Sequence, residues 1–173
     1  SGVELESTMN RSRTVGVDRV ITIAVSRDNQ QVVKEIASQY DDVWCTQGLH
    51  PHEATSWDTE FKNELKRRAG DAKVVAVGEI GLDYFRLPKD QSEAEQIKRM
   101  QRNAFRDQLA FARDLDLPVV VHSRSAFADC LELIDKSGVD WTKVVFHCFA
   151  EGPGEIRQLM DRGGVASFTG ILT

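Results

Sequence analysis

The sequence predicts a parallel α/β fold in which short apolar strands alternate with amphipathic helices. One observation is the alternation itself, which repeats six times along 173 residues. Another is that three of the apolar runs lead directly to an ionisable side chain, namely Glu79, His122 and His147. An apolar strand does not normally finish on such a group unless the group has a partner. Because the carboxyl ends of parallel strands lie at one face, we expect these three side chains to lie close together.

Two parallel architectures fit this alternation, a doubly wound sheet and a (β/α)-barrel. The chain has no glycine-rich phosphate-binding motif after its first predicted strand, which argues against a dinucleotide-binding sheet. Side chains that converge from several strands favour a TIM-like barrel. A complete barrel needs eight strands and roughly 250 residues. The six predicted parallel strands, with a helix first and a strand last, therefore predict a single, truncated (β/α)-barrel domain over residues 1–173.

The predicted strands are runs of small and β-branched apolar residues, a composition typical of strands buried on both faces. The run that starts at Val74 leads through Gly78 to a carboxylate, and a second carboxylate follows at Asp83. We place this strand at the centre of the fold. In chain order, the predicted strands are Arg19–Val25, Val43–Leu49, Val74–Glu79, Pro118–His122, Val144–His147 and Val165–Gly170.

Helices are predicted where apolar residues recur every three or four positions. Gly16 suits the end of the first helix, and Ser92 with Glu95 forms a capping box at the start of the longest one. In chain order, the first helix ends near Gly16, the second spans Asp28–Tyr40, and the third carries Phe61, Leu65 and Ala69. The fourth spans Ser92–Leu115, the fifth spans Ser125–Gly138, and the sixth starts at Pro153.

Composition and charge exclude several classes of protein. No apolar run approaches the roughly 18 residues of a membrane span, and no signal peptide opens the chain, so we expect a cytoplasmic protein that does not enter a membrane. Cys45, Cys130 and Cys148 are widely spaced and do not form a disulfide framework. The net charge of −5 argues against extensive binding to duplex DNA. It remains compatible with a nuclease that takes a strand end into a metal site, because bound cations supply local positive charge.

The side chains at the three strand ends have the chemistry of a metal site. Imidazole and carboxylate suit zinc, manganese or a similar divalent cation, and a site of this kind holds one or two ions. A bound cation acidifies water and stabilises charge on a phosphoryl or carbonyl oxygen. The alternative is that each residue is a hydrogen-bonded polar group at a strand end. Three strands with the same ending favour the metal hypothesis, with Glu79, His122 and His147 as ligands.

Further polar residues near the strand ends are candidates for substrate binding or catalysis. His50 and His52 suit contact with a substrate phosphate or support of the ligands, and the alternative is an ordinary turn. Arg124 could clamp a phosphate or could be a solvated side chain. Asp83 suits proton transfer, as Glu79 does, or a capping role in its loop. Tyr84 suits stacking on a base, with packing in the core as the alternative.

Five segments resemble the successive signature motifs of the TatD family, in the same order along the chain. They are Gly48–His52, Gly78–Tyr84, Leu117–Arg124, Val145–Phe149 and Ser167–Gly170. The resemblance runs from about Val15 to the end. It implies a (β/α)-barrel of the metal-dependent hydrolase superfamily that cleaves phosphodiester bonds of DNA, typically from a strand end, with Glu79, His122 and His147 in a site for divalent metal.

Two motifs of the family are missing from this chain. The family opens with a strand that carries a D-x-H-x-H-type motif, and a later strand ends in an aspartate ligand. Their absence predicts two open edges, around Val20–Val25 and Val165–Thr169, through which the chain self-associates. It also predicts nuclease activity that is weak or absent in this form. Two other functions stay open, an amidohydrolase-like enzyme for an amide or ester and a non-catalytic fragment of a barrel.

Overall fold

The computed structural model describes residues 2–170, with side chains from residue 4 onward. Its six strands are all parallel and pair in chain order, from β1 to β6. A doubly wound sheet must reverse its strand order at a switch point, whereas a barrel adds each strand beside the previous one. The order therefore selects the barrel-type architecture and confirms the prediction of a (β/α)-barrel with six parallel strands.

The strands are β1 (Val20–Thr22), β2 (Val43–Gln47), β3 (Val74–Asp83), β4 (Val119–Arg124), β5 (Val144–Phe146) and β6 (Val165–Ala166). The helices are α1 (Gly2–Thr14), α2 (Gln30–Gln39), α3 (Thr59–Arg68), α4 (Gln91–Asp114), α5 (Phe127–Ser137) and α6 (Pro153–Asp161). Two short 3-10 helices, Pro51–Ser56 and Trp141–Lys143, precede α3 and β5. Within residues 2–170, no helix is both long and apolar enough to cross a membrane.

Several predicted boundaries differ from the observed ones. Strand β3 continues beyond Glu79 to Asp83 because its last residues pair with β4, with Asp83 opposite Arg124. Strand β1 ends at Thr22, after which the backbone N–H of Ala24 donates to the side-chain hydroxyl of Thr46 in β2 instead of to a backbone carbonyl. Strand β6 covers only two residues of the predicted six. The sheet thus keeps its long central strand and has short outer strands.

The cap of the longest helix also differs from the prediction. Asp90, rather than Ser92, is the N-cap of α4, and its carboxylate accepts a hydrogen bond of 2.8 Å from the backbone N–H of Glu93. The predicted Ser92–Glu95 capping box is wrong. A carboxylate at this position also interacts favourably with the positive end of the helix dipole, so the observed cap is the stronger one.

Two apolar clusters hold the layers together. The larger cluster packs α3, α4 and α5 against the central strands, with Phe61, Phe105 and Phe146 almost completely buried in it. The smaller cluster packs α1 and α2 against β1 and β2 around Met9 and Val33. Burial of each large side chain stabilises the fold by roughly 1.5–3 kcal/mol. The carboxyl edge of the sheet, where polar residues gather, is therefore supported by a rigid base.

Close backbone packing at the carboxyl edge depends on glycine. Gly81 in β3 has φ +139°, and a Cβ atom placed on it would lie 2.0 Å from the carbonyl oxygen of His122. Gly48, just after β2, would place a Cβ atom 2.9 Å from the backbone of Gly78. Real Cβ atoms do not approach so closely, so β2, β3 and β4 reach this spacing only because neither position carries a side chain.

Candidate active site

His122 is placed between two carboxylates at the carboxyl edge of the sheet. Its Nδ1 atom lies 3.0 Å from Oε1 of Glu79, and its Nε2 atom lies 3.2 Å from Oδ2 of Asp83. The register explains this arrangement, because His122 pairs with Gly81, and Glu79 and Asp83 stand two positions on either side of Gly81 along β3. Side chains two or four apart share a face of a strand. One face of β3 therefore presents both carboxylates to one imidazole.

Two more histidines join the cluster from the turn after β2. The ring of His50 lies with its centroid 4.4 Å from that of His122, in an edge-to-face arrangement. The Nε2 atom of His52 lies 2.8 Å from Oδ2 of Asp83. The side chain of Asp83 is almost completely buried, whereas that of His52 is half exposed. The cluster therefore runs from a buried carboxylate to an imidazole that solvent and ligands can reach.

The surroundings of these groups set their charge. Burial and the neighbouring His122 lower the pKa of His50 to about 4. Burial opposes ionisation of Glu79, but the hydrogen bond from His122 and the neighbouring imidazoles of His50, His122 and His147 together lower the pKa of this carboxylate. Burial opposes protonation of His122 as well, but Glu79 and Asp83 together raise its pKa. At neutral pH, the site thus contains a neutral imidazole and an ionised carboxylate side by side.

This set of donors fits a divalent cation. One ligand atom from each of His50, Glu79 and His122 can be chosen so that all three lie within 4.8 Å of one another. A neutral imidazole keeps a lone pair for coordination, and a carboxylate with a lowered pKa supplies negative charge. The residues present therefore match the chemistry of a metal centre.

His147 lies at the rim of this cluster. It follows β5 directly, and its Nδ1 atom lies 3.2 Å from the hydroxyl of Ser167. Its ring is close enough to help lower the pKa of Glu79, but its nitrogens are not part of the close group formed by His50, Glu79 and His122. The role of His147 as a ligand stays a prediction. His50, which we assigned to the substrate from sequence, lies in the position expected of a ligand.

The predicted substrate residues Tyr84 and Arg124 occupy different surroundings. The hydroxyl of Tyr84 donates a hydrogen bond of 2.9 Å to Asp129, and the cationic groups of Lys98 and Arg102 lie 5.4 and 5.6 Å from its ring centroid. Arg124 is exposed, and its guanidinium lies 3.8 Å from the ring centroid of Phe85. Arg124 thus remains accessible to a ligand, while the ring of Tyr84 is already engaged with protein groups.

Three buried glutamines hold the backbone of the site in place, and sequence analysis missed them. The side-chain amide of Gln101 accepts a hydrogen bond from the backbone N–H of Asp83 and donates one to its carbonyl, at 2.9 and 3.0 Å. Gln108 makes the same pair with Leu49, and Gln30 makes it with Gly48. A signal existed, because Gln101 and Gln108 interrupt the apolar face of α4 at a spacing of seven. Buried polar groups at such positions need specific partners.

A barrel-type parallel sheet that gathers imidazoles and carboxylates at its carboxyl edge defines the class of metal-dependent hydrolases. Comparison with family models identifies the family to which the chain belongs. The chain belongs to the family described as TatD related DNase, whose model matches residues 3–173. The resemblance inferred from the five motifs is thereby confirmed.

Curated relatives agree with this assignment. The chain is 36% identical over 160 residues to the 3'-5' ssDNA/RNA exonuclease TatD of Cronobacter sakazakii. The aligned region covers 92% of this chain and 58% of that protein. It is 29% identical over 172 residues to the uncharacterized metal-dependent hydrolase YabD of Bacillus subtilis. Here the aligned region covers 98% of this chain and 64% of that protein. The chain thus spans about three fifths of the length of these relatives.

Solved structures show the same architecture. The TatD homolog YjjV from Escherichia coli superposes with a TM-score of 0.82 at 25% identity, over 94% of this chain and 61% of that one. A TatD family hydrolase from Entamoeba histolytica superposes with a TM-score of 0.81 at 27% identity, over 93% of this chain and 55% of that one. The described strands and helices therefore correspond to a contiguous part of the family's barrel.

Proposed function

We propose that this chain carries the central part of the active site of a nuclease that hydrolyses phosphodiester bonds at the ends of single-stranded DNA. The observation that carries the proposal is the close group formed by His50, Glu79 and His122, with Asp83 directly beside it. The relatives named 3'-5' ssDNA/RNA exonuclease support this substrate class and extend it to RNA. We keep a cytoplasmic location as part of the same proposal.

Glu79 and His122 would hold a divalent metal ion, with His50 and His147 as the further ligands for one or two ions. Zinc and manganese suit this mixture of imidazole and carboxylate, and magnesium suits the carboxylates. When bound, such an ion acidifies water and stabilises negative charge on a phosphoryl oxygen.

Asp83 would accept a proton from the attacking water, and Glu79 would be the other carboxylate close to the reaction. One oxygen of Asp83 accepts a hydrogen bond of 2.9 Å from the backbone N–H of Phe85, and the other faces His52 and His122. Burial opposes ionisation of Asp83, but these hydrogen bonds and charges together lower its pKa. The carboxylate is therefore ionised and held in one orientation, as a general base requires.

His52 and Arg124 would bind the phosphate, because both side chains are accessible at the carboxyl edge. An arginine guanidinium stacked on Phe85 keeps its N–H edge free for two parallel hydrogen bonds to phosphate oxygens. Tyr84 would support the same edge of the site through Asp129. The net charge of −5 favours a local contact with a strand end over a long contact with duplex DNA.

Hydrolysis of a labelled single-stranded oligonucleotide with manganese or magnesium tests the proposal. We expect Asp83→Asn to lower the rate by about 10²–10⁴-fold, since a general base contributes that much. Asp41→Asn, at an exposed position, is the matched control and should leave the rate unchanged. Hydrolysis that survives a chelator, or cleavage of acyl esters without cleavage of DNA or RNA, would contradict the proposal.

A further inference from the structure

A cavity of about 300 Å³ opens directly beside the carboxylate of Asp83, and its volume lies at the lower end of the range for ligand pockets, about 300–1,000 Å³. The walls come from three elements, which are the 3-10 helix Pro51–Ser56, the loop after β3 and helix α4. His52 and Asp83 are shared between the cavity and the cluster described above. A ligand in the cavity therefore lies next to the proposed site of hydrolysis.

Five of the ten residues that line the cavity are apolar, and apolar atoms form most of its surface. Pro51, Leu87, Ile97 and Met100 line it, and all four are buried or half buried. This lining suits a flat, largely apolar group such as a nucleobase, which gains free energy when its faces leave water. A sugar–phosphate chain would gain little from the same walls. The chemistry of the lining thus selects the base of a nucleotide over its backbone.

The remaining polar groups suit the rest of a nucleotide. Arg86 lies at the cavity and is exposed, and among residues 2–170 its guanidinium has no hydrogen-bond or ion-pair partner. The hydroxyl of Thr55 is likewise without a partner in the described part of the chain. A free arginine attracts a phosphate, and a free hydroxyl can hydrogen-bond to the edge of a base. In a chain of net charge −5, a free cation at this position is complementary to an anionic ligand.

We propose that this cavity binds the base of the terminal nucleotide of a single strand, with Arg86 on a phosphate and the adjacent bond held at Asp83. This inference rests on the proposed nuclease function. It deepens that function, because a base paired in a duplex cannot enter a pocket of this kind without first leaving its stack, which costs free energy. The cavity therefore favours unpaired ends, and its volume admits one nucleoside at a time.

Binding of two phosphomonoesters tests the cavity without any hydrolysis. Thymidine 5′-monophosphate carries a base where 2-deoxyribose 5-phosphate carries only a hydroxyl, so the ratio of their dissociation constants, measured by calorimetry, reports the contribution of the base. We expect the parent to bind the nucleotide about tenfold more tightly, which is about 1.4 kcal/mol. Arg86→Ala should weaken both ligands equally and leave their ratio unchanged.

Filling the cavity should abolish the preference for the base. We expect Met100→Trp to reduce the ratio to about one, while Gln96→Trp, at an exposed position of the same helix, keeps it. Thr55→Phe fills the cavity from the opposite wall and serves if Met100→Trp fails to fold. A parent ratio near one, or a ratio unchanged in folded filling variants, overturns the proposal. A preference for the base without hydrolysis of single-stranded DNA would support the cavity and count against the nuclease function.

Discussion

The Nδ1 atom of His122 lies 3.0 Å from Oε1 of Glu79, although the two residues stand 43 positions apart on neighbouring strands. This contact brings together an imidazole nitrogen and a carboxylate oxygen, which are the donor types of a metal site. Burial opposes protonation of His122, but Glu79 and Asp83 together raise the pKa of this imidazole. A proton and a divalent cation therefore compete for the same donors, and metal affinity should rise with pH.

We expect Glu79→Ala and His122→Ala each to lower the metal content of the folded protein strongly, because each removes one of few ligands. Mass spectrometry of the protein after dialysis against manganese or zinc measures the content. Glu53→Ala is the matched control, since Glu53 is exposed on the 3-10 helix beside the site. Parental metal content in both variants would show that these residues are capping groups, whose loss costs only roughly 1–3 kcal/mol of stability.

The same measurement on His50→Ala and His147→Ala decides how the ligand set is completed. We expect both substitutions to lower metal content, with the larger effect at His50, because His50 belongs to the close group with Glu79 and His122. His147 lies at the rim, beside the hydroxyl of Ser167. Unchanged metal content in His147→Ala would remove it from the ligand set predicted from sequence.

Gly81→Ala should disrupt the active site more than alanine at any of the other described glycines. The new Cβ atom would lie 2.0 Å from the carbonyl oxygen of His122, and φ at this position is +139°. We expect the free energy of unfolding to fall by more than about 3 kcal/mol, measured in urea. Gly70→Ala is the control, because a Cβ atom there meets nothing within 4 Å. Equal stability of the two variants would contradict the close approach of β3 and β4.

Gln101→Ala should loosen the active site from behind. It removes both hydrogen bonds to the backbone of Asp83 and leaves a buried N–H and carbonyl without partners, which costs roughly 1–3 kcal/mol. We also expect metal affinity to fall, because Asp83 positions His122. Gln96→Ala, exposed on the same helix, should change stability by less than about 0.5 kcal/mol. Metal affinity equal to that of the parent would limit Gln101 to a structural role.

The stability contributed by Asp129 should disappear in acid. Burial favours its neutral form, but hydrogen bonds from Arg102 and Tyr84 together lower its pKa below the ordinary value of 3.8. A carboxylate with a lowered pKa in the folded state stabilises the protein above its unfolded pKa and loses this effect as the pH falls. We expect Asp129→Asn to cost about 1 kcal/mol at pH 7, since solvent screens the partly exposed pair. This difference should shrink below about pH 4. A difference in urea stability that does not vary with pH would contradict the assignment.

Expressed as these 173 residues, the chain should self-associate through its outer strands. Within residues 2–170, β1 pairs only with β2 and β6 only with β5, and Ile21 and Val165 on them are 50% and 52% exposed. Unpaired apolar edges recruit other strands. Light scattering at several concentrations should show association that Ile21→Lys with Val165→Lys reduces. Val32→Lys, at an exposed position of α2, is the control. A monomer at every concentration would contradict this prediction.

Local patterns in the sequence determined the architecture and the chemical type of the site. Runs of β-branched residues identified six strands, and helical spacing identified the helices between them. These signals are local, because burial of one face imposes its period on each element separately. His122, which lies within β4, and His147, which directly follows β5, were recognisable for the same reason. The five motifs added the family, which the match over residues 3–173 confirms.

The tertiary structure decided which of these groups meet. The extension of β3 to Asp83, the approach of His50 to His122 and the contacts of Gln101 all depend on pairing between segments far apart in the chain. The cavity beside Asp83 likewise has walls from three separate elements. Periodicity records whether a side chain is buried but not what it touches. Strand register and helix packing set those distances, because they result from the combined burial of the whole core.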